Sequence, residues 1–135
     1  VTSWNLGTIA LTDIGGAERA RNIRIITKNS PVAVKKSETF HTRQNNQTTI
    51  KCTVTQGEDS DPEFVQILLE EEMELPPGRR AGCPIEVTYS YDANGIMKFQ
   101  FKDIESGRVK ILESKDAQRA QNVNGGVKVP HLAGG

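Results

Sequence analysis

Few side chains in this sequence are equipped for bond chemistry. There are two histidines, His41 and His131, and two cysteines, Cys52 and Cys83. A Ser-His-Asp or Cys-His site would have to be assembled around His41, because His131 falls in a glycine-rich tail. No nucleophile elbow or other local signature accompanies it. Cys52 occupies an apolar position of a strand pattern, where a thiol behaves as a small buried hydrophobe. The cysteine spacing matches no zinc pattern, and two cysteines are too few for a disulfide scaffold. A reducing, cytoplasmic setting is therefore expected.

Other candidates are equally thin. Glu70-Glu71-Glu72-Met73-Glu74 carries enough charge to attract a cation. Consecutive residues of an extended chain point in alternate directions, however, and the spacing of a calcium loop is absent. A solvated charge run is expected there. Gly15-Gly16 lacks the further glycines and the lysine of a phosphate loop. Asn46-Gln47-Thr48 is a glycosylation sequon, which matters only in a secreted chain. This inventory points away from an enzyme, and no metal or cofactor is expected in the domain.

The elements that carry these residues are strands. Ile50, Cys52 and Val54 alternate with Thr49, Lys51, Thr53 and Thr55, the pattern of a half-buried strand. Ile85, Val87, Tyr89 and Tyr91 alternate in the same way, as do Met97, Phe99 and Phe101. Asp92-Ala93-Asn94-Gly95 separates these two runs, and Asn and Gly tolerate positive φ, so the three segments form a β-hairpin. Arg108 to Leu112 adds the next strand, with Val109 and Ile111 expected inward. Earlier strands are expected at Asn5–Leu11, Asn22–Lys28 (with a bulge), Val32–Val34, Glu38–Thr42 and Glu63–Glu70. Asp13 to Gly16 reads as a loop. Short strands with regular turn signals specify an all-β fold, an antiparallel β-sandwich or barrel. Ser114 to Gln121 is the one stretch with helical character, and a disordered glycine-rich tail is expected after it.

The bulk composition narrows the partners. The chain of 135 residues suits one domain. Lysine plus arginine and aspartate plus glutamate total 17 each, a formal net charge of zero, which argues against nucleic acid. No apolar run nears the roughly 18 residues that cross a membrane, and no secretory signal is visible. The chain begins with valine, so a piece of a longer protein is expected.

Val1-Thr2-Ser3-Trp4-Asn5-Leu6-Gly7 is similar to the segment that opens the substrate-binding domain of the seventy-kilodalton heat-shock chaperone family. The resemblance continues in Lys35-Lys36-Ser37 and Phe40, in Asn45-Asn46-Gln47, and in Gln56-Gly57-Glu58. It is strongest in Pro84-Ile85-Glu86-Val87-Thr88-Tyr89, in Asp92-Ala93-Asn94-Gly95-Ile96, and in Lys102-Asp103 with Ser106-Gly107. It implies a sandwich of two roughly four-stranded sheets over residues 1–113, followed by a short helix or linker and tail over 114–135.

The resemblance also implies a function: a groove that binds extended, apolar segments of unfolded polypeptides, as in a stress-response chaperone. Phe40, Ile50, Cys52 and Ile85 would line its pocket. Gln47 matches a glutamine that bonds to the peptide backbone. His41 and Arg43 fall in one bordering loop. In the other, Ile14 before Gly15 matches the apolar residue that arches over the peptide, and Leu11 approaches the pocket. An ATPase domain preceding Val1, with ATP and magnesium, would control release, and co-chaperones would be further partners.

Three departures from the family pattern bear on this reading. The region between Leu6 and Asn29 is longer and more charged, with Glu18, Arg19 and Arg21, and Arg43 stands where the family often has a small residue. Little helical pattern follows Leu112, so the helical lid that normally follows is not expected within this sequence: either the sequence stops short of it or this member has no ordinary lid. The alternative is a non-catalytic interaction scaffold that keeps the fold without an open groove. Without the resemblance, Phe40, Ile50, Cys52 and Ile85 read as ordinary sandwich core.

Overall fold

The structure is a computed structural model that describes residues 4–14, 17–31, 33–113 and 132–133. Among them run nine strands: β1 (Leu6–Ile14), β2 (Ala17–Ile26), β3 (Val34–His41), β4 (Thr49–Gln56), β5 (Gln66–Glu74), β6 (Pro84–Tyr91), β7 (Met97–Asp103), β8 (Val109–Glu113) and β9 (Leu132–Ala133). One 3₁₀ turn, Pro62–Phe64, precedes β5. Strands β2, β1, β4 and β5 form one antiparallel sheet, and β3, β6, β7 and β8 form the other. This is the expected all-β sandwich. The helical stretch expected at 114–121 lies outside the described residues.

The β6–β7 hairpin forms as the sequence predicts. Tyr91 pairs with Met97 and Ile85 with Asp103. Asp92 Oδ1 accepts from the backbone N–H of Asn94 and Ile96, both at 2.9 Å, and Gly95 takes φ 82°. Val87, Tyr89, Phe99 and Phe101 are buried between the sheets. Tyr89 meets Phe99 edge-on with ring centroids 4.7 Å apart. Its hydroxyl lies 2.7 Å from the Gly7 carbonyl oxygen and 3.0 Å from that of Thr53, so one phenol ties β6 to both β1 and β4. Gly7 has no substitute here: a Cβ would stand 2.4 Å from the Ile23 carbonyl oxygen.

Five local expectations are corrected. First, Val109 and Ile111 point outward, 45% and 50% exposed, while Leu112 is 3% exposed. Register decides this: Leu112 lies opposite the buried Phe99 and Lys110 opposite the buried Phe101, and directly opposed residues share a face. Second, β4 is not half-buried, because Thr53 and Thr55 are buried as well as Ile50, Cys52 and Val54. Their hydroxyls meet polar partners, Thr8 Oγ1 for Thr53 and Asn22 Oδ1 for Thr55, and so tolerate burial.

Third, β5 starts later than Glu63, and Phe64 in the preceding turn is exposed. Leu69 pairs with Val54 and Ile67 with Thr55, so Leu68 is an extra residue and both leucines are buried. Fourth, the two strands expected at 32–34 and 38–42 are one, β3, which pairs with β6 along its whole length. Fifth, residues 13 and 14 belong to a hairpin rather than a loop. Pairing of β1 with β2 runs to Ile14 and Ala17, so only residues 15 and 16 separate the last pair. The bulge expected in β2 is present at Ile25, between partners of Leu6 and Gly7.

The acidic run lies in β5, and it is partly paired rather than simply solvated. Glu70 bonds Lys51 at 2.8 Å, and Glu71 bonds Lys110 at 3.0 Å. The second pair joins β5 to β8, the outermost strands of the two sheets, and so closes one flank of the sandwich.

Candidate functional site

The other flank is closed differently. Strand β1 pairs with β4 only at Leu6–Gln56 and Gly7–Thr55, after which the two part. Thr53 fills the start of the gap: its Oγ1 accepts from Ile9 N–H at 2.9 Å. Beyond that point Ala10 and Leu11 present a strand edge that β4 does not use. Strand β3 pairs with β6 on one side and leaves its other edge facing β1. The two edges do not pair with each other. Strand β9 stands between them, with Ala10 opposite Leu132 and Leu11 opposite Ala133 in parallel, and His41 opposite Ala133 in antiparallel. Neighbouring strands lie about 4.8 Å apart, so β1 and β3 are separated here by about 9.6 Å, the width of one inserted strand.

The four residues expected from sequence to line a pocket lie on β3, β4 and β6. Phe40 and Ile85 are direct cross-strand partners at the end of β3 and the start of β6. Ile50 and Cys52 share one face of β4, which lies alongside β9. All four are buried in the common core. Leu11 and His41 are half-buried and sit in register with β9. Ile14 ends β1, two residues before the turn of the hairpin closes, and Gly15 lies outside the described residues.

The loop after β3 is braced from within and from outside. Gln47 is buried, and its Oε1 accepts from the N–H of Arg43 at 2.9 Å and of Gln44 at 3.2 Å. Its Nε2 donates to the Thr49 carbonyl at 2.9 Å. The amide that the resemblance assigns to peptide backbone is thus largely engaged by its own loop. Asn45 Oδ1 accepts from Ala81 N–H at 2.9 Å, and Asn46, at φ 57°, accepts from Gly78 N–H at 2.5 Å. Residues 78–81 are held in turn by Arg79, whose guanidinium bonds both oxygens of the buried Asp103 at 3.0 and 2.9 Å. That hydrogen bond raises the Arg79 pKa further above its ordinary value.

Across the slot, Arg43 Nη2 donates to Glu18 Oε2. Glu18 lies on β2, opposite Asp13 of β1. The charged insertion was legible in the sequence, but its pairing with Arg43 was not, since the two are 25 residues apart. Thr53, Arg79 and Asp103 were also missed as site residues, because each acts through a partner distant in sequence.

Nothing here resembles an activated nucleophile. Burial pushes the Cys52 thiol up to about 12, so it is protonated at neutral pH. Burial also raises the Cys83 thiol. Among the described residues no three His, Cys, Asp or Glu side chains gather as a metal site. The slot offers two backbone edges, with β9 between them.

A family profile described as Hsp70 protein matches residues 11–124. The chain belongs to the Hsp70 family. A chaperone protein DnaK of Deinococcus proteolyticus is 33% identical to this chain over 111 residues. That alignment covers 77% of this chain and 18% of the relative, so this Hsp70-family chain spans a small part of the relative's length. Several stretches that carry the resemblance serve as joints of the rim: Asn45 and Asn46 in one loop, Asp103 beneath the other.

Proposed function

We propose that this domain binds extended apolar segments of other polypeptides in the slot between β1 and β3, as the substrate-binding domain of an Hsp70-type chaperone. One observation carries the reading: two strand edges from different sheets face each other across the width of a single strand. Unpaired edges favour strand addition. Backbone pairing along both edges gives affinity that tolerates many sequences. The floor of Phe40, Ile50, Cys52 and Ile85 supplies apolar contact, and burying one leucine side chain is worth about 1.5–3 kcal/mol. The domain is a binding module without catalysis in this reading. ATP and its magnesium belong to an ATPase domain of the longer protein, which controls release through allosteric coupling. Unfolded chains and co-chaperones are the partners of that longer protein, and its compartment is cytoplasmic.

The test is titration of leucine-centred extended peptides into ¹⁵N-labelled protein. Saturable shifts at Ala10, Leu11 and His41, with several unrelated peptides, are expected. Shifts confined to other surfaces overturn the assignment of the slot.

A second reading is supported by the Arg43–Glu18 pair and by the engagement of Gln47 within its own loop. In it the slot stays closed and the domain is a scaffold for one fixed partner. Stable capture of one folded partner, with no peptide bound by the intact chain or by a Leu132→Asp variant, establishes the scaffold instead.

A further inference from the structure

Strand β9 is part of this chain, and it occupies the slot. Leu132 and Ala133 pair in parallel with Ala10 and Leu11 and in antiparallel with His41, and they lie alongside β4. Both edges that β9 covers are free of any other strand at that point. The sequence around it, Val127-Lys128-Val129-Pro130-His131-Leu132-Ala133-Gly134-Gly135, holds apolar residues and no acid. This is the chemistry of the ligand that the slot is proposed to take.

We infer that the Leu132–Ala133 segment is a resident occupant of the slot, bound in cis, which an incoming polypeptide must displace. The inference rests on reading the slot as the peptide site. It also assigns polarity: a displacing segment runs parallel to β1 and antiparallel to β3, as β9 does.

Geometry permits closure within one molecule. Residues 114–131 connect β8 to β9, eighteen in all. Fully extended they reach about 60 Å, whereas a domain of this size has a radius of gyration near 13 Å and a diameter of roughly 35 Å. A tethered segment competes at an effective concentration of order millimolar. An apparent dissociation constant is the intrinsic one divided by the unoccupied fraction, so a segment docked about 90% of the time weakens peptide binding about tenfold.

Two variants of the whole chain test this. Leu132→Asp replaces a strand residue that pairs with Ala10 by a charged residue that disfavours strands. Ala133→Pro removes a backbone N–H and the strand pairing that needs it. Both variants are expected to bind a labelled leucine-centred peptide about tenfold more tightly than the unaltered chain. Amide exchange at Leu11 and His41 is expected to speed up about tenfold or more when no peptide is present. Unchanged exchange at these amides in both variants overturns resident occupancy, whatever the peptide data show. Faster exchange with no peptide bound by any variant upholds it and removes the peptide-binding reading. Protection that rises with protein concentration overturns closure in cis.

Discussion

Arg43 and Glu18 are joined across two strands. Arg43 lies beyond the end of β3 and Glu18 near the start of β2, and in the lateral order β2, β1, β9, β3 the ion pair spans both inner strands. The family-like reading places an apolar arch over the occupant. In this chain the residue next to the partner of Ile14, Glu18, also carries an ion pair to Arg43.

That bridge should act on exchange more than on stability. The side chains are 23% and 57% exposed, and pairs of this kind contribute about 1 kcal/mol or less. Glu18→Gln, or 1 M in place of 0.05 M salt, is expected to raise the dissociation rate of a bound peptide severalfold. Thermal stability should move little. Stopped-flow displacement measures the rate; equal rates for the variant and the unaltered chain at both salt concentrations show that the pair does not hold the occupant in.

Tyr89→Phe should cost about 1–3 kcal/mol, because the one buried O–H that two carbonyl oxygens share is lost. Urea unfolding followed by fluorescence or circular dichroism gives the number. A loss below about 0.5 kcal/mol, the scale of a neutral surface change, means that water or another donor replaces the phenol.

Cys52 predicts a pH dependence with a definite sign. Its thiol is pushed from 9.0 up to about 12 in the folded chain, chiefly by burial. The folded state therefore holds the proton more tightly. The contribution is fully present below about pH 9 and is lost as pH rises toward about 12. Unfolding measured at pH 8 and at pH 10.5 should show a decline that is shallower in Cys52→Val. A disulfide-exchange reagent should label Cys52 only as fast as the chain opens. Immediate labelling of the native thiol contradicts its burial.

The hairpin of β6 and β7 was legible because each strand carries one unbroken alternation and the residues between them can only turn. Strand β8 was legible in position but not in phase. Val109, Ile111 and Leu112 place apolar groups on both faces of five residues, and only the pairing of Leu112 with Phe99 chooses between them. The outer half of the β1–β2 hairpin was missed. Ala17-Glu18-Arg19-Ala20-Arg21 has no alternation of period two, and the segment is a strand because β1 pairs with it. For the site, the four residues expected to line a pocket, all buried in the common core, were readable as apolar positions. The rim was not, since Arg79–Asp103 and Arg43–Glu18 are encounters that only the folded chain creates.

Among the described residues, the backbone hydrogen-bond ladder passes from β1 to β3 by way of two residues, Leu132 and Ala133. With that rung withdrawn, the ladder falls into two separate plates that touch through side chains and through the Lys110–Glu71 link on the far side. Whatever lodges between β1 and β3 therefore completes the wall of the fold as well as sitting in it.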